Sequence, residues 1–154
     1  LPLVAETVST AEMFEPLPQV ENLFQSSGAN IIEKGQNAFF QPSTDEVWLP
    51  ERHLFSDAAN FYATGLHELV HWSGGKKRLN REMKGKFGSA DYAEEELVAE
   101  LGSAFLMADL GIVGEVQHES YIASWLQALK NDKRYVFKAV SAASKAHSYL
   151  MDKA

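Results

Sequence analysis

Two histidines and a glutamate near the middle of the chain have the types and the spacing of a metal site, in the run His67-Glu68-Leu69-Val70-His71. Four residues of an α-helix turn through about 400°, so His67 and His71 lie one turn apart on the same face and can bind one ion. Glu68 lies beside them, where its carboxylate can accept a proton from a water molecule that the ion activates. Zinc accepts neutral imidazole and carboxylate oxygen, and a catalytic zinc keeps its fourth position for water. The run therefore predicts a hydrolytic zinc site with Glu68 as its general base.

The same five-residue pattern also occurs by chance on solvated helix faces. In this chain its surroundings are strongly apolar, and burying two histidines without a partner would be costly. We therefore favour a metal site over a solvated face. The apolar neighbours are Phe61, Leu66, Leu69, Val70 and Trp72.

A cluster of glutamates further along the chain offers the third ligand that such a site needs. Glu94 and Glu95 stand where a helix often carries acids as partners of its dipole. Glu96 and Glu100 lie four residues apart on one face, and Glu100 is surrounded by apolar residues, where an unpaired carboxylate would be costly. We assign Glu96 as the third ligand and Glu100 as the acceptor that orients a ligating histidine through its other ring nitrogen. This assignment resembles the pair of acids in gluzincin metallopeptidases, with Glu95 as the alternative ligand because helix phase can shift by one residue at a helix start.

Hydrophobic periodicity and turn residues predict the elements that must position these groups. Helices are expected from residue 19 to the stop at Ser26-Ser27-Gly28 and over 57–72, 92–110, 120–130 and 132–151, with strands over 30–34, 38–41 and 46–49. We expect Ser56 to cap the 57–72 helix and Gly74-Gly75 to close it in the left-handed conformation. The predicted fold is α+β, with a small antiparallel sheet followed by a mostly helical body that carries the histidine run.

Composition places the chain among single globular domains and excludes several classes of site. Of its 154 residues 45% are hydrophobic, which is enough to bury a core. Its formal charge of −7 repels phosphate backbones and argues against strong nucleic-acid binding by this segment. The lack of cysteine excludes a disulfide framework, a thiol nucleophile and a cysteine-ligated metal.

The first 18 residues contain three prolines and little periodicity, which predicts a linker or arm over 1–18 before a domain over 19–154. The chain begins at Leu1, which suggests an excised domain whose partner segment is missing. No apolar run approaches the roughly 20 residues that cross a bilayer, so we expect a cytoplasmic protein without membrane contact.

Several stretches together resemble the metallopeptidase domain of ArdC-type antirestriction proteins. The resemblance is carried by residues 38–43, 62–74, 78–81, 87–89, 92–106 and 118–126 and covers nearly the whole chain from about residue 17. It implies a zincin-like, SprT-related metallopeptidase domain with zinc as cofactor, encoded on a plasmid or another mobile element. In that family a single-stranded-DNA-binding domain comes first, and the full protein protects incoming DNA from restriction. DNA is therefore expected as a partner only through an N-terminal domain that this chain lacks.

The expected reaction is hydrolysis of a peptide bond in a protein or peptide substrate. Tyr121 is the candidate transition-state stabiliser, with His118 and Tyr92 as further polar-tipped candidates. The strand over 46–49 is expected to be the edge to which an extended substrate adds. A catalytically idle, metal-stabilised binding module and a hydrolase of a non-protein amide are the competing functions. The intact Glu68 favours catalysis, because metal binding alone does not require it.

Overall fold

The computed structural model describes residues 13–83 and 86–154. The predicted order of elements and the α+β class are confirmed. The proposed arm lies mostly outside the described residues, and the division at residue 18 stays a prediction. The elements are α1 (Pro18–Ser27), β1 (Asn30–Glu33), β2 (Phe39–Gln41), β3 (Glu46–Leu49), a 3-10 turn (Arg52–Leu54), α2 (Ala58–Ser73), α3 (Ala90–Leu110), α4 (His118–Ala128) and α5 (Lys133–Met151).

The sheet is mixed, so the expectation of an all-antiparallel sheet is wrong. Strand β2 pairs antiparallel with β3, and the rings of Phe39 and Trp48 stack across that pair at 5.8 Å. Strand β1 pairs parallel with β3, in the strand order β1-β3-β2. The short turn between β2 and β3 places β2 on one side of β3, and β1 therefore pairs with the opposite side of β3. The strand over 46–49 is thus central, and the expectation that it forms the substrate edge is also wrong.

Helix α2 carries the histidine run and is capped at both ends by side chains. The carboxylate of Asp57, rather than the expected Ser56, accepts from the backbone N–H of Asn60 at 2.8 Å. At the other end Arg78 and Arg81 donate to the carbonyls of Trp72 and Val70, each at 2.6 Å, so those terminal acceptors are paired.

The glycine that follows α2 serves a different purpose from the one expected. Gly74 has φ −83°, which is not left-handed, and Gly75 does not have a positive φ either. A Cβ atom on Gly74 would lie 2.7 Å from the guanidinium carbon of Arg81. A side chain at this position would therefore have to displace the ends of the Arg81 and Met83 side chains, whereas the backbone conformation itself does not call for glycine.

Helices α2 and α3 pack closely enough to hold side chains from both in one site. A Cβ atom on Gly102 would lie 2.8 Å from a methyl carbon of Val70, and the Ser103 hydroxyl donates to the Ala63 carbonyl at 3.0 Å. Ser89 caps α3 through the backbone N–H of Tyr92, and the helix ends at Gly111, which has a left-handed φ of 69°. Helices α4 and α5 pack against α3. No helix in the described part of the chain has the length and apolar content of a bilayer-spanning segment.

Candidate metal centre

The two histidines of α2 and Glu96 of α3 converge on one gap between the helices. The imidazole rings lie 5.0 Å apart between centroids and are inclined by 77°. Glu96 places one carboxylate oxygen 2.7 Å from Nε2 of His71 and the other 3.3 Å from Nε2 of His67. One ligand atom from each of the three residues lies within 4.8 Å of the others, which is the spacing of a set that can hold a single ion.

The other nitrogen of each ring contacts a second carboxylate. Nδ1 of His67 lies 2.8 Å from Glu100, the contact expected from the sequence. Nδ1 of His71 lies 2.8 Å from Glu95, which is thereby directed away from the gap. Glu95 was the alternative ligand, and its position matches an orienting acceptor instead. With both Nδ1 atoms occupied in this way, each Nε2 is directed towards the gap.

Arg81 is a site residue that sequence reasoning missed. Its guanidinium donates to both oxygens of Glu95 at 3.0 Å and to the Val70 carbonyl at 2.6 Å. It also donates to the Ser73 hydroxyl at 3.2 Å. Arg81 therefore ties the loop after α2 to the carboxylate that orients His71. The sequence signal was only an arginine in a polar loop, ten residues beyond the second histidine.

His118 extends the contacts on the opposite side of the site. Its Nδ1 lies 3.1 Å from the second oxygen of Glu100, and its Nε2 lies 3.1 Å from the sulfur of Met107. Glu100 therefore bridges His67 and His118. Of the polar-tipped candidates, His118 is occupied in supporting Glu100.

The charges in the cluster fit a divalent cation. Burial alone would lower the pKa of His67, but the contacts with Glu100 and Glu96 outweigh it and raise that pKa to about 9. Burial likewise opposes the contacts with Glu95 and Glu96, which raise the pKa of His71 to about 10. A divalent cation in that gap can take the place of the protons that these raised pKa values favour on the two rings. The donor set therefore suits a divalent metal.

Glu68 lies next to the proposed ligands His67, His71 and Glu96, and it forms no hydrogen bond with any of them. Its side chain is buried, with 8% of the residue exposed, yet its carboxylate makes no hydrogen bond with any residue that the structure describes. Burial raises its pKa, although the nearby His71 and His67 act in the opposite direction. A buried, basic carboxylate without a partner is poised to exchange a proton.

Two cavities meet at Glu68, one on each side. The first is about 530 Å³, and Tyr121 lines it together with His67 and Glu100. The second is about 240 Å³ and contains Tyr92 together with His71 and Glu96. Glu68 therefore lines both cavities, the one beside His67 and the one beside His71.

The Arg81→Met variant is expected to bind metal about 10–100-fold more weakly, because Glu95 loses the guanidinium that holds it on His71. Competition with a chromophoric chelator measures this affinity. The matched control is Arg134→Met, since Arg134 pairs with Asp132 on the surface, away from the site. Equal metal affinity in the Arg81 variant and wild type would show that Arg81 only caps α2.

Comparisons with known proteins identify the relatives of this chain. A family model described as a zincin-like metallopeptidase matches residues 18–142. The chain is 41% identical over 142 residues to a protein of Escherichia coli named DNA primase TraC, covering 91% of this chain and 10% of that protein. It is 44% identical over 138 residues to the protein y4eC of Sinorhizobium fredii, covering 88% of this chain and 45% of that protein. The chain thus spans less than half the length of these curated relatives.

Solved structures with the same fold come from the antirestriction protein ArdC of plasmid R388. Its Mn(II)-bound crystal structure superposes with a TM-score of 0.77 at 37% identity, covering 92% of this chain and 54% of that one. The metal-free structure gives 0.75 at the same identity, covering 92% and 52%. The resemblance expected from the sequence is confirmed, and the fold is one in which a relative binds a metal.

Proposed function

The chain belongs to the zincin-like metallopeptidase family, and we propose that it hydrolyses peptide bonds with a zinc ion held by His67, His71 and Glu96. The observation that carries the proposal is Glu68, a buried carboxylate with a raised pKa and no hydrogen-bond partner among the described residues. It lies beside the ligand set and at the junction of two cavities. A purely structural metal site does not need such a group.

Zinc is the proposed metal because two imidazoles and one carboxylate form a catalytic zinc set that leaves a position for water. When bound, the metal lowers the pKa of water and polarises a carbonyl group. The R388 relative was crystallised with Mn(II), so manganese is the second candidate. Zinc is expected to outcompete manganese at a site with two imidazoles, following the general order of divalent affinities.

The side chains of this chain have separate tasks in the proposed reaction. Glu68 takes a proton from the attacking water and delivers it to the amine that leaves, the task of a general acid–base group beside the ligand set. Glu100 and Glu95 hold His67 and His71 in the tautomer whose Nε2 points into the gap. Tyr121 stays a prediction, because it lines the first cavity but 53% of it is exposed.

We propose that the substrate binds in an extended form along β2. In the described sheet β2 is an edge strand, and Phe40 and Pro42 at its end line the cavity that contains Glu68. An open strand edge offers backbone groups to a peptide that runs beside it. This placement replaces the one expected from the sequence, since β3 is paired on both sides.

The biological setting that we propose follows from the relatives. A plasmid protein of this fold is named an antirestriction protein, and we infer that this domain serves the same purpose in a longer protein. The net charge of −7 supports assigning DNA contact to a different part of that protein. A cytoplasmic location stays a prediction.

The second candidate function is an idle, metal-stabilised binding module. The observation that favours it is that the Glu96 carboxylate contacts both rings, so the cluster is internally paired. Such a module would act with the DNA-binding domain in protecting incoming DNA and would cleave nothing.

Metal-dependent cleavage of a peptide library separates the two candidates. The zinc-loaded chain is incubated with a proteome-derived peptide mixture, and new termini are identified by mass spectrometry. We expect cleavage that disappears on removal of zinc with a chelator and returns when zinc is added back. No zinc-dependent termini would contradict the peptidase and favour the binding module.

A further inference from the structure

Tyr92 faces the proposed site from the first turn of α3. It precedes Glu96 by four residues, so both side chains lie on one face of the helix. It lines the second cavity together with Glu68, His71 and Glu96. Its hydroxyl has no hydrogen-bond partner among residues 13–83 and 86–154, although the residue is half-buried. A polar group in that position is available to a molecule that occupies the cavity.

The ring of Tyr92 is held in place by neighbouring aromatic rings. Trp125 of α4 contacts it edge-on at 5.8 Å, and Phe87 packs against it at 5.2 Å. Its backbone N–H donates to the Ser89 hydroxyl at 3.2 Å, which fixes the start of the helix. Aromatic contacts of this kind restrict the rotamers of the ring. These contacts therefore limit where the ring and its hydroxyl can lie, with Trp125 as the less exposed of the two partners.

The surroundings keep this hydroxyl protonated. Burial raises the pKa of Tyr92, and the negative charges of Glu96 and Glu68 raise it further. A group in these surroundings is a hydrogen-bond donor rather than a base.

We propose that the Tyr92 hydroxyl donates a hydrogen bond to the carbonyl oxygen of the scissile peptide bond as negative charge develops there. The inference rests on the proposed peptidase function. When the water oxygen bonds to the carbonyl carbon, the C=O electron pair moves to the oxygen, and Tyr92 stabilises that charge without transferring its proton. When the C–N bond breaks, the pair returns to form the carbonyl, and the amine leaves with the proton from Glu68. Donors in such positions are a large contribution to catalysis.

Tyr92 fits this task better than the candidate favoured by sequence reasoning. Tyr121 lines the other cavity, and 53% of it is exposed. His118 is occupied by Glu100 and Met107. Tyr92 combines a restrained ring, a hydroxyl that no described residue binds and a place beside both Glu68 and Glu96 in the second cavity.

Binding of inorganic phosphate, a tetrahedral oxyanion, tests Tyr92 without any substrate. Phosphate is titrated into the Mn(II)-loaded chain and followed by the broadening of its phosphorus resonance. We expect Tyr92→Phe to weaken phosphate binding by about tenfold or more, the size of a lost hydrogen bond to a charged group. Tyr149→Phe, which changes a tyrosine on α5 that packs near Lys153, serves as the matched control. Melting temperature and Mn(II) affinity show that each variant is folded and loaded.

Equal phosphate affinity in the Tyr92 variant and wild type would overturn the inference. A loss confined to Tyr121→Phe, or no phosphate binding by the loaded wild type, would also overturn it. On a peptide that the wild type cleaves, Tyr92→Phe should lower kcat about 100-fold while KM stays within about threefold. If the wild type cleaves no peptide, the proposed function fails, and the phosphate titration still decides the role of Tyr92 as an oxyanion donor.

Discussion

The Glu68→Gln variant is expected to lose peptide cleavage by about 10²–10⁴-fold, the usual contribution of a general acid–base group. Glutamine keeps the shape of the side chain and a carbonyl oxygen but cannot accept and return the proton. Because Glu68 makes no hydrogen bond with another described residue, the substitution breaks no contact that supports His67 or His71. Metal content and melting temperature should therefore match the wild type. Initial rates on a peptide from the cleavage screen measure the loss.

The control for this change is Glu51→Gln, an exposed glutamate in the loop after β3. This substitution removes the same charge at a position away from the cavities. The rate of peptide cleavage should stay within about twofold of the wild type, because surface substitutions usually have small effects. If the Glu68 variant cleaved peptides at the wild-type rate, Glu68 would not be the general base. A Glu68 variant that has lost metal would instead place Glu68 among the ligands.

The His67→Ala variant is expected to weaken zinc binding by more than about 100-fold, because even loss of an outer contact costs 10–100-fold. The change removes one of three protein ligands and leaves Glu100 without its contact to Nδ1. Zinc should then raise the melting temperature of the variant far less than that of the wild type. Chelator competition measures the affinity, and thermal unfolding with and without zinc measures the stabilisation.

His147→Ala is the matched control for the histidine change. His147 lies on α5 and pairs with Asp109, with Nε2 2.5 Å from the carboxylate, outside the proposed ligand set. The zinc affinity of the His147→Ala variant should equal that of the wild type. If His67→Ala retained full zinc affinity, the proposed ligand set would be refuted.

Helical periodicity made much of this site predictable. The spacing of four places His67 with His71 and Glu96 with Glu100, because residues four apart in an α-helix lie on the same face whatever the helix packs against. The only freedom left was the phase at the start of α3. In the structure Glu96 faces the gap and Glu95 contacts the outer nitrogen of His71, which supports the choice of Glu96 as the proposed ligand.

The remaining features depended on contacts between distant segments. Arg81 reaches Glu95 because the loop after α2 turns back towards α3. Hydrophobic periodicity does not predict the path of a polar loop, so nothing in the sequence indicated this contact. Gly74 carries the sequence signature of a left-handed stop, yet its φ is negative and the ends of the Arg81 and Met83 side chains pack against it. The pairing of β1 with β3 could not be predicted either. The alternation of apolar and polar residues along a strand indicates which residues face the core, but it does not indicate which strands are neighbours.

Anomalous diffraction from crystals of the zinc-loaded chain, collected above and below the zinc edge, tests the central claim most directly. We expect one strong peak about 2.0–2.1 Å from Nε2 of both His67 and His71 and about 2.0–2.2 Å from a carboxylate oxygen of Glu96. A peak elsewhere on the chain, or one coordinated without those two imidazoles, would contradict it.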